Sequence, residues 1–300
     1  MVLAKKILIV LSGKGGVGKS TVACQIALCY KEQGLKVAFL DIDLCGPSIP
    51  KMLNLHNSSV VQSTCGAWVP VFYQPCKASS HATNGTVNST ESKHKHGSLE
   101  VMSIGFLLNS DTDAVVWRGP KKNAMIKQFL TDVQWSENLD LLVIDTPPGT
   151  SDEHMSIVEH IKSLLDNEKM FSENVGAVLV TTPQAVSVHD VQREISFCNK
   201  CGLEIVGIIE NMSGFICQHC SHCSNIFSQG GGKSLAAKKN IQFLGSIPVD
   251  SNLALAVDKG ENFLRAFNSS VAVGFIEQII LKLNVSFFEI DPAGKANLSS

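Results

Sequence analysis

The sequence lacks an excess of charge of either sign: 25 Lys and Arg stand against 27 Asp and Glu, a net charge of -2 in 300 residues. Without a basic field there is nothing to gather a polyphosphate backbone, so nucleic acid is not an expected partner. A long apolar run at the start is also missing. Ile7 to Leu11 is too short for the core of a secretory signal and passes directly into a glycine loop, so it reads as a strand, and no membrane-spanning or membrane-entering segment is expected. The ten cysteines therefore stand without a secretory leader. That combination points to a reducing, cytoplasmic setting in which sulfur serves as core filler, metal ligand or reactive thiol rather than as a disulfide framework. Several Asn-x-Ser/Thr triplets are then chance matches. The seven methionines are scattered, which leaves no striped groove for shielding hydrophobic client helices.

What is present is an alternation. Short β-rich apolar runs at Lys6 to Ser12, Lys36 to Asp41, Leu99 to Ile104, Leu139 to Asp145, Val175 to Thr181, Glu204 to Asn211 and Phe243 to Pro248 are separated by longer helical patterns. This predicts an α/β fold, a mostly parallel twisted sheet with helices on both faces. The runs are almost continuous in Val, Ile and Leu, as strands covered on both sides must be. Gly34 and Gly202 follow helical segments where a left-handed C-terminal cap belongs. Residues 77 to 98 break the rhythm with Ser, Thr, Asn, His and Lys, and predict a low-complexity insertion whose His81, His94 and His96 are solvated. One domain over residues 1–286 and a tail over 287–300 complete the expectation.

Gly13-Lys14-Gly15-Gly16-Val17-Gly18-Lys19-Ser20 fits the phosphate-loop pattern and lies between a predicted strand and a predicted helix. The glycines let backbone N–H groups turn toward phosphate oxygens at a helix N-terminus. Lys19 is then placed for the β- and γ-phosphates of ATP, Ser20 for Mg²⁺, and Thr21 for the phosphates beside it. Acidic residues end two of the strands, Asp41 and Asp43 at one and Asp145 at the other, on the sheet edge where open α/β folds hold ligands. Asp145 suits a Mg²⁺ shell through water and Asp43 the orientation of an attacking water. Asp41 suits either the metal shell or a helix cap. Pro147-Pro148-Gly149 is placed to act as a hinge near the γ-phosphate.

The second lysine, Lys14, gives the loop a G-K-G-G-V-G-K-S form. It resembles the deviant loop of the ATPases that include nitrogenase iron protein, the septum-site and plasmid-partition proteins and the arsenite pump. The resemblance implies that Lys14 reaches a partner subunit's nucleotide, so that hydrolysis needs a dimer, and that Asn211 reads the adenine edge with the loop after Pro248 closing the other side.

Cys217-Gln218-His219-Cys220 supplies two thiols from one turn, half of what a [4Fe-4S] cluster or a Cys₄ zinc site needs; a two-fold dimer supplies the rest. Cys223 stands as a further ligand or a bystander. Cys198 and Cys201 also form C-x-x-C, but at the end of an amphipathic helix where core packing is the better reading. Taken with D-I-D-L-C-G-P-S-I-P from Asp41, V-W-R-G-P-K from Val116, D-T-P-P-G-T-S-D from Asp145 and E-N-M-S-G-F from Glu210, the cysteine pair resembles the Mrp-type nucleotide-binding proteins that assemble iron-sulfur clusters. The likeness runs from residue 5 to about 267, apart from the insertion. It implies a slow, dimer-dependent ATPase that holds a labile cluster at Cys217 and Cys220 and hands it to cytosolic and nuclear apo-proteins. The first strand begins close to residue 1, which resembles the short subunit type. That implies both a homodimer and a complex with a longer member bearing an N-terminal cysteine cluster. Two rivals remain: a spatial-organiser ATPase, which needs a membrane-seeking tail or basic face that residues 271 to 284 do not offer, and a zinc-stapled targeting factor.

Overall fold

The computed structural model describes residues 4–44, 46–74, 97–108, 118–165, 167–216, 223–224 and 227–288. Among these, the strands are β1 (Lys6–Leu11), β2 (Lys36–Asp41), β3 (Val61–Gln62), β4 (Trp68–Val69), β5 (Val71–Phe72), β6 (Ser98–Ser103), β7 (Leu141–Asp145), β8 (Val175–Thr181), β9 (Glu204–Ile216), β10 (Cys223–Ser224) and β11 (Phe243–Val249). The α-helices are α1 (Lys19–Glu32), α2 (Ile49–Met52), α3 (Gly119–Thr131), α4 (Asp152–Leu165), α5 (Glu168–Asn174), α6 (Ala185–Cys201), α7 (Gly231–Lys239), α8 (Ser251–Lys259), α9 (Phe263–Ala266) and α10 (Val271–Leu283). The main sheet runs β10-β9-β8-β1-β7-β2-β6-β5, with β11 also paired to β9. Its interior pairs are parallel, and antiparallel pairing is confined to β5 with β6 and β10 with β9.

The period-2 direction of strand side chains divides the apolar residues into two cores. From β1, Leu8 and Val10 enter one core with α1 and α10, while Ile7, Ile9 and Leu11 enter the other with α3, α4 and α6. Both faces are covered, which is why the runs read as continuous in Val, Ile and Leu. Gly202 caps α6 in the left-handed region at φ 61°.

Three expectations shift. β9 runs on to Ile216, past Asn211, because β11 and β10 take up its backbone where β8 no longer reaches. Packing continues beyond residue 286, since Phe287 is buried and the Phe288 ring lies 4.8 Å from that of Tyr30. Ser98, expected in the insertion, is the first residue of β6; residues 75–96 lie outside the described residues. The segment Val271–Phe288 is apolar and long enough by composition to cross a bilayer, yet Ala272, Val273, Ile276, Ile279, Ile280 and Leu283 are buried in the sheet core.

Candidate nucleotide site and the cysteine-bearing edge

The loop after β1 lines an open cleft of about 360 Å³, within the range of small-ligand pockets. Lys14, Gly15, Gly16, Val17, Gly18, Lys19, Ser20 and Thr21 form one wall, and Asp43, Ser48, Met52, Pro148 and Val257 the other. Two glycines are required by their surroundings. A Cβ on Gly13 would fall 2.5 Å from the carbonyl carbon of Asp190 on α6, and one on Gly18, whose φ is 80°, would fall 2.2 Å from Asn211 Nδ2. That Nδ2 donates to the Val17 carbonyl at 2.8 Å, so β9 holds the phosphate loop from below. No ion pair of Lys14 is found among the described residues.

The acidic residues separate into three positions. Asp145 Oδ1 accepts from Lys19 Nζ at 2.5 Å in a buried ion pair, while its Oδ2 is buried with no partner. Lys19 also reaches Ser20 Oγ at 3.3 Å. Asp41, opposite Asp145 in the sheet register, accepts from Ser103 Oγ at 2.9 Å and from the Asp43 N–H at 3.0 Å. Burial, and after it the neighbouring Asp145 charge, hold Asp41 well above the usual carboxylate range. Burial also raises Asp145, with the Lys19 ammonium opposing it. Asp43 stands on the cleft wall and accepts from the Gly46 N–H at 3.3 Å. Asp41 therefore shapes the turn behind the site, Asp145 lies buried beneath Lys19, and Asp43 lines the cleft. The orphaned Asp145 oxygen beside Ser20 and Lys19 suits a hydrated divalent cation and a phosphate chain.

The loop after β7 is tied to the phosphate loop at two points: Thr146 Oγ1 donates to the Val10 carbonyl at 2.8 Å and the Gly149 N–H to the Ser12 carbonyl at 2.7 Å. Its far end is fixed by a residue the sequence reading passed over. His154 Nδ1 accepts from the Ser151 N–H at 3.1 Å and lies 3.0 Å from Ser151 Oγ. Ser151-x-x-His154 has the spacing of a capping box, with imidazole where Glu or Gln is usual; that spacing was the available signal. Burial pushes His154 down to about 4, so the ring is neutral, and because Nδ1 accepts the Ser151 N–H the proton sits on Nε2, which has no partner.

At the other end of β9, Met212 and Gly214 take φ values of 55° and 80° and break the strand's regularity. Buried Glu210 accepts from Ser213 Oγ and from the Gly232 N–H, each at 2.6 Å, and so fastens the start of α7 to the strand. Ile216 pairs with Cys223 and Phe215 with Ser224. Cys217 and Cys220, which fall between β9 and β10 in the chain, lie outside the described residues, as do Cys45, Cys76, Val116, Trp117 and the three insertion histidines. Among the described residues no group of three or more His, Cys, Asp or Glu is placed to hold a metal. Cys198 is core, as expected, and Cys24 and Cys29 are buried on α1, where desolvation pushes their thiols up to about 12. Asn211 and Pro248, the two residues expected at the base, stand in different surroundings. Asn211 gives its amide to Val17, and Pro248 lines a separate cavity with Phe215, Ile216 and the start of α8.

A family profile described as ParA, NUBPL iron-transfer P-loop NTPase, matches residues 3–284. The chain belongs to this family. Its curated relatives include a cytosolic Fe-S cluster assembly factor NUBP2 homolog of Nematostella vectensis, 51% identical over 93% of both chains. Cytosolic Fe-S cluster assembly factor NUBP2 of Gallus gallus is 50% identical over 92% of this chain and 90% of its own. Among solved structures, a nucleotide-binding protein of Archaeoglobus fulgidus in complex with ADP is 33% identical, with a TM-score of 0.67 over 90% of this chain and 94% of that one. The septum site-determining protein MinD of Pyrococcus horikoshii, at 17% identity and a TM-score of 0.56 over 93% of this chain and 96% of that one, shares the fold. The chain is thus a P-loop NTPase of the iron-transfer kind, with the mostly parallel sheet that its sequence pattern predicts.

Proposed function

We propose that the chain is a cytosolic, ATP-dependent scaffold for iron-sulfur cluster assembly. It works as a dimer in which Cys217 and Cys220 of each copy hold one labile [4Fe-4S] cluster as cargo for apo-proteins. The observation that carries the proposal is the continuity of β9, whose Asn211 holds the phosphate loop and whose next residues lead to Cys217. Nucleotide state and metal-holding state thereby share one strand. The naming of relatives at about half identity as cytosolic Fe-S cluster assembly factors supports the same reading.

In this proposal Lys19, which the structure pairs with Asp145, brings its charge to the β- and γ-phosphates of ATP. Ser20 and the unpartnered Asp145 oxygen would hold the Mg²⁺ shell. Backbone N–H groups of Gly13 to Thr21 cradle the phosphates, and Asp43 orients the attacking water. Lys14 crosses to the other subunit's nucleotide and makes turnover depend on the dimer. Turnover is slow, as suits a switch, and the dimer partner is a second copy or a longer family member with its own N-terminal cysteine cluster.

The deciding experiment is anaerobic reconstitution with iron and sulfide. A brown protein with broad visible absorption, colourless after Cys217→Ala with nucleotide binding intact, supports the scaffold. A colourless protein holding zinc tightly at the same pair would overturn it in favour of a zinc-stapled dimer.

A further inference from the structure

Away from the nucleotide cleft, two sulfur side chains meet at the seam of α4 and α6, and a second cysteine of α6 stands one turn from them. Cys201, the last residue of α6, places its Sγ 3.6 Å from Met155 Sδ on α4. Cys198 lies three residues earlier on α6, a spacing that sets Cβ atoms about 5–6 Å apart on one helix face. It is buried in the core against which Cys201 also packs. The seam is pinned beside these sulfurs: Lys162 Nζ donates to the Cys201 carbonyl at 2.7 Å and lies over the Phe171 ring at 4.9 Å. Met155 is 43% exposed, which gives the group an opening to solvent.

The donor set selects its ligand. Two thiols and a thioether, with no carboxylate among them, are too soft and too few for magnesium, calcium or a closed tetrahedral zinc site. A monovalent ion of soft character is satisfied by two or three sulfurs. We propose that Cys198, Cys201 and Met155 form a copper(I) site, separate from the Cys217 and Cys220 pair. Binding displaces one proton from each thiol and leaves copper at its entering oxidation state; the resulting single negative charge sits beside the Lys162 ammonium. Burial, and after it the Glu194 carboxyl beside Cys198 and the Glu159 carboxylate beside Cys201 against the opposing Lys162 ammonium, keep both thiols protonated in the free protein, so uptake strengthens as pH rises. An occupied site would join α4, which follows the loop after β7, to α6, whose Asp190 abuts Gly13.

The test starts from a Cys217→Ser, Cys220→Ser background, which removes the competing thiol pair, titrated anaerobically with copper(I) against bicinchoninate. One copper per chain with a sulfur-only X-ray absorption signature is the expected result. Cys201→Ser should weaken binding by more than about 100-fold, beyond what loss of an outer-sphere partner costs. Met155→Leu, nearly volume-conserving and partly exposed, should keep the fold and weaken binding about tenfold. Failure of the background protein to hold copper against the chelator, or copper retained unchanged by a folded Met155→Leu variant with nitrogen or oxygen ligands, would overturn the proposal.

Discussion

The two ends of β9 solve opposite problems. At the nucleotide end the recognising groups are mostly backbone, so the chain needs absent side chains: Gly13 and Gly18 leave room for α6 and Asn211, and fixed hydrogen bonds hold the loop in shape. At the cysteine end the proposed recognising groups are side chains, and the Cys217 and Cys220 pair supplies two of the four sulfurs a cluster requires. In the proposal one subunit's backbone suffices to bind the phosphates, with the partner adding its lysine for turnover, whereas a half set of thiolates needs the second subunit to hold the cluster at all. Disabling one end while watching the other tests the contrast.

The largest effect is expected from Lys19→Met. It removes the phosphate-neutralising charge, and ATP turnover should fall by about 10²–10³-fold, measured as phosphate release. Cluster reconstitution at Cys217 and Cys220 should survive, because the side-chain partners of Lys19 among the described residues are Ser20 and Asp145; loss of both would show that the ends are not separable. Lys14→Ala should lower turnover by about 10²-fold and erase its dependence on protein concentration, while monomer ATP affinity stays within about twofold. A variant that still hydrolyses ATP at full rate as a monomer would remove the dimer from the reaction.

Beneath the nucleotide end, pH gives a third handle. Glu194 on α6 is buried with both carboxylate oxygens unpartnered, and desolvation pushes it up to about 7; His154 is pushed down to about 4. Each displacement corresponds to about 3 kcal/mol between folded and unfolded states. The signs oppose. His154 costs stability as pH falls from 6.5 toward 4, because only the unfolded chain takes up the proton readily. Glu194 costs stability as pH rises from 4.5 through about 7, because only the unfolded chain releases its proton readily. The stability of Glu194→Gln relative to the parent, by denaturant unfolding, should climb by about 3 kcal/mol from pH 4.5 to 7. A flat difference would mean that the carboxyl is solvated.

Much of this was legible in the sequence, for a physical reason. Seven apolar runs had to be strands because their Val, Ile and Leu content is tolerable only between two helical layers, and the phosphate loop is defined by glycines whose backbone freedom no other residue shares. The remainder depends on which residues meet. Ser103 beneath Asp41 comes from a strand 62 positions away. The extension of β9 to Ile216 is decided by β10 and β11 as partners, and the tie of Asn211 to the Val17 carbonyl joins positions 194 residues apart. His154 needed only the recognition that an imidazole can replace Glu in a capping box.

The smallest predicted effect bears most directly on the link between the ends. Asn211→Ala leaves the Val17 carbonyl buried without its donor, which costs about 1–3 kcal/mol and should loosen the phosphate loop enough to weaken nucleotide binding about tenfold. Cys217 and Cys220 are untouched, so a reconstituted cluster should still form. Its rate of loss to an iron chelator should differ between ATP and ADP in the parent and become the same, within about twofold, in the variant at saturating nucleotide. A ratio that persists without the Asn211 amide would place the coupling elsewhere. The Glu210 carboxylate, which fastens α7 to the same strand, would then be the next tie to cut.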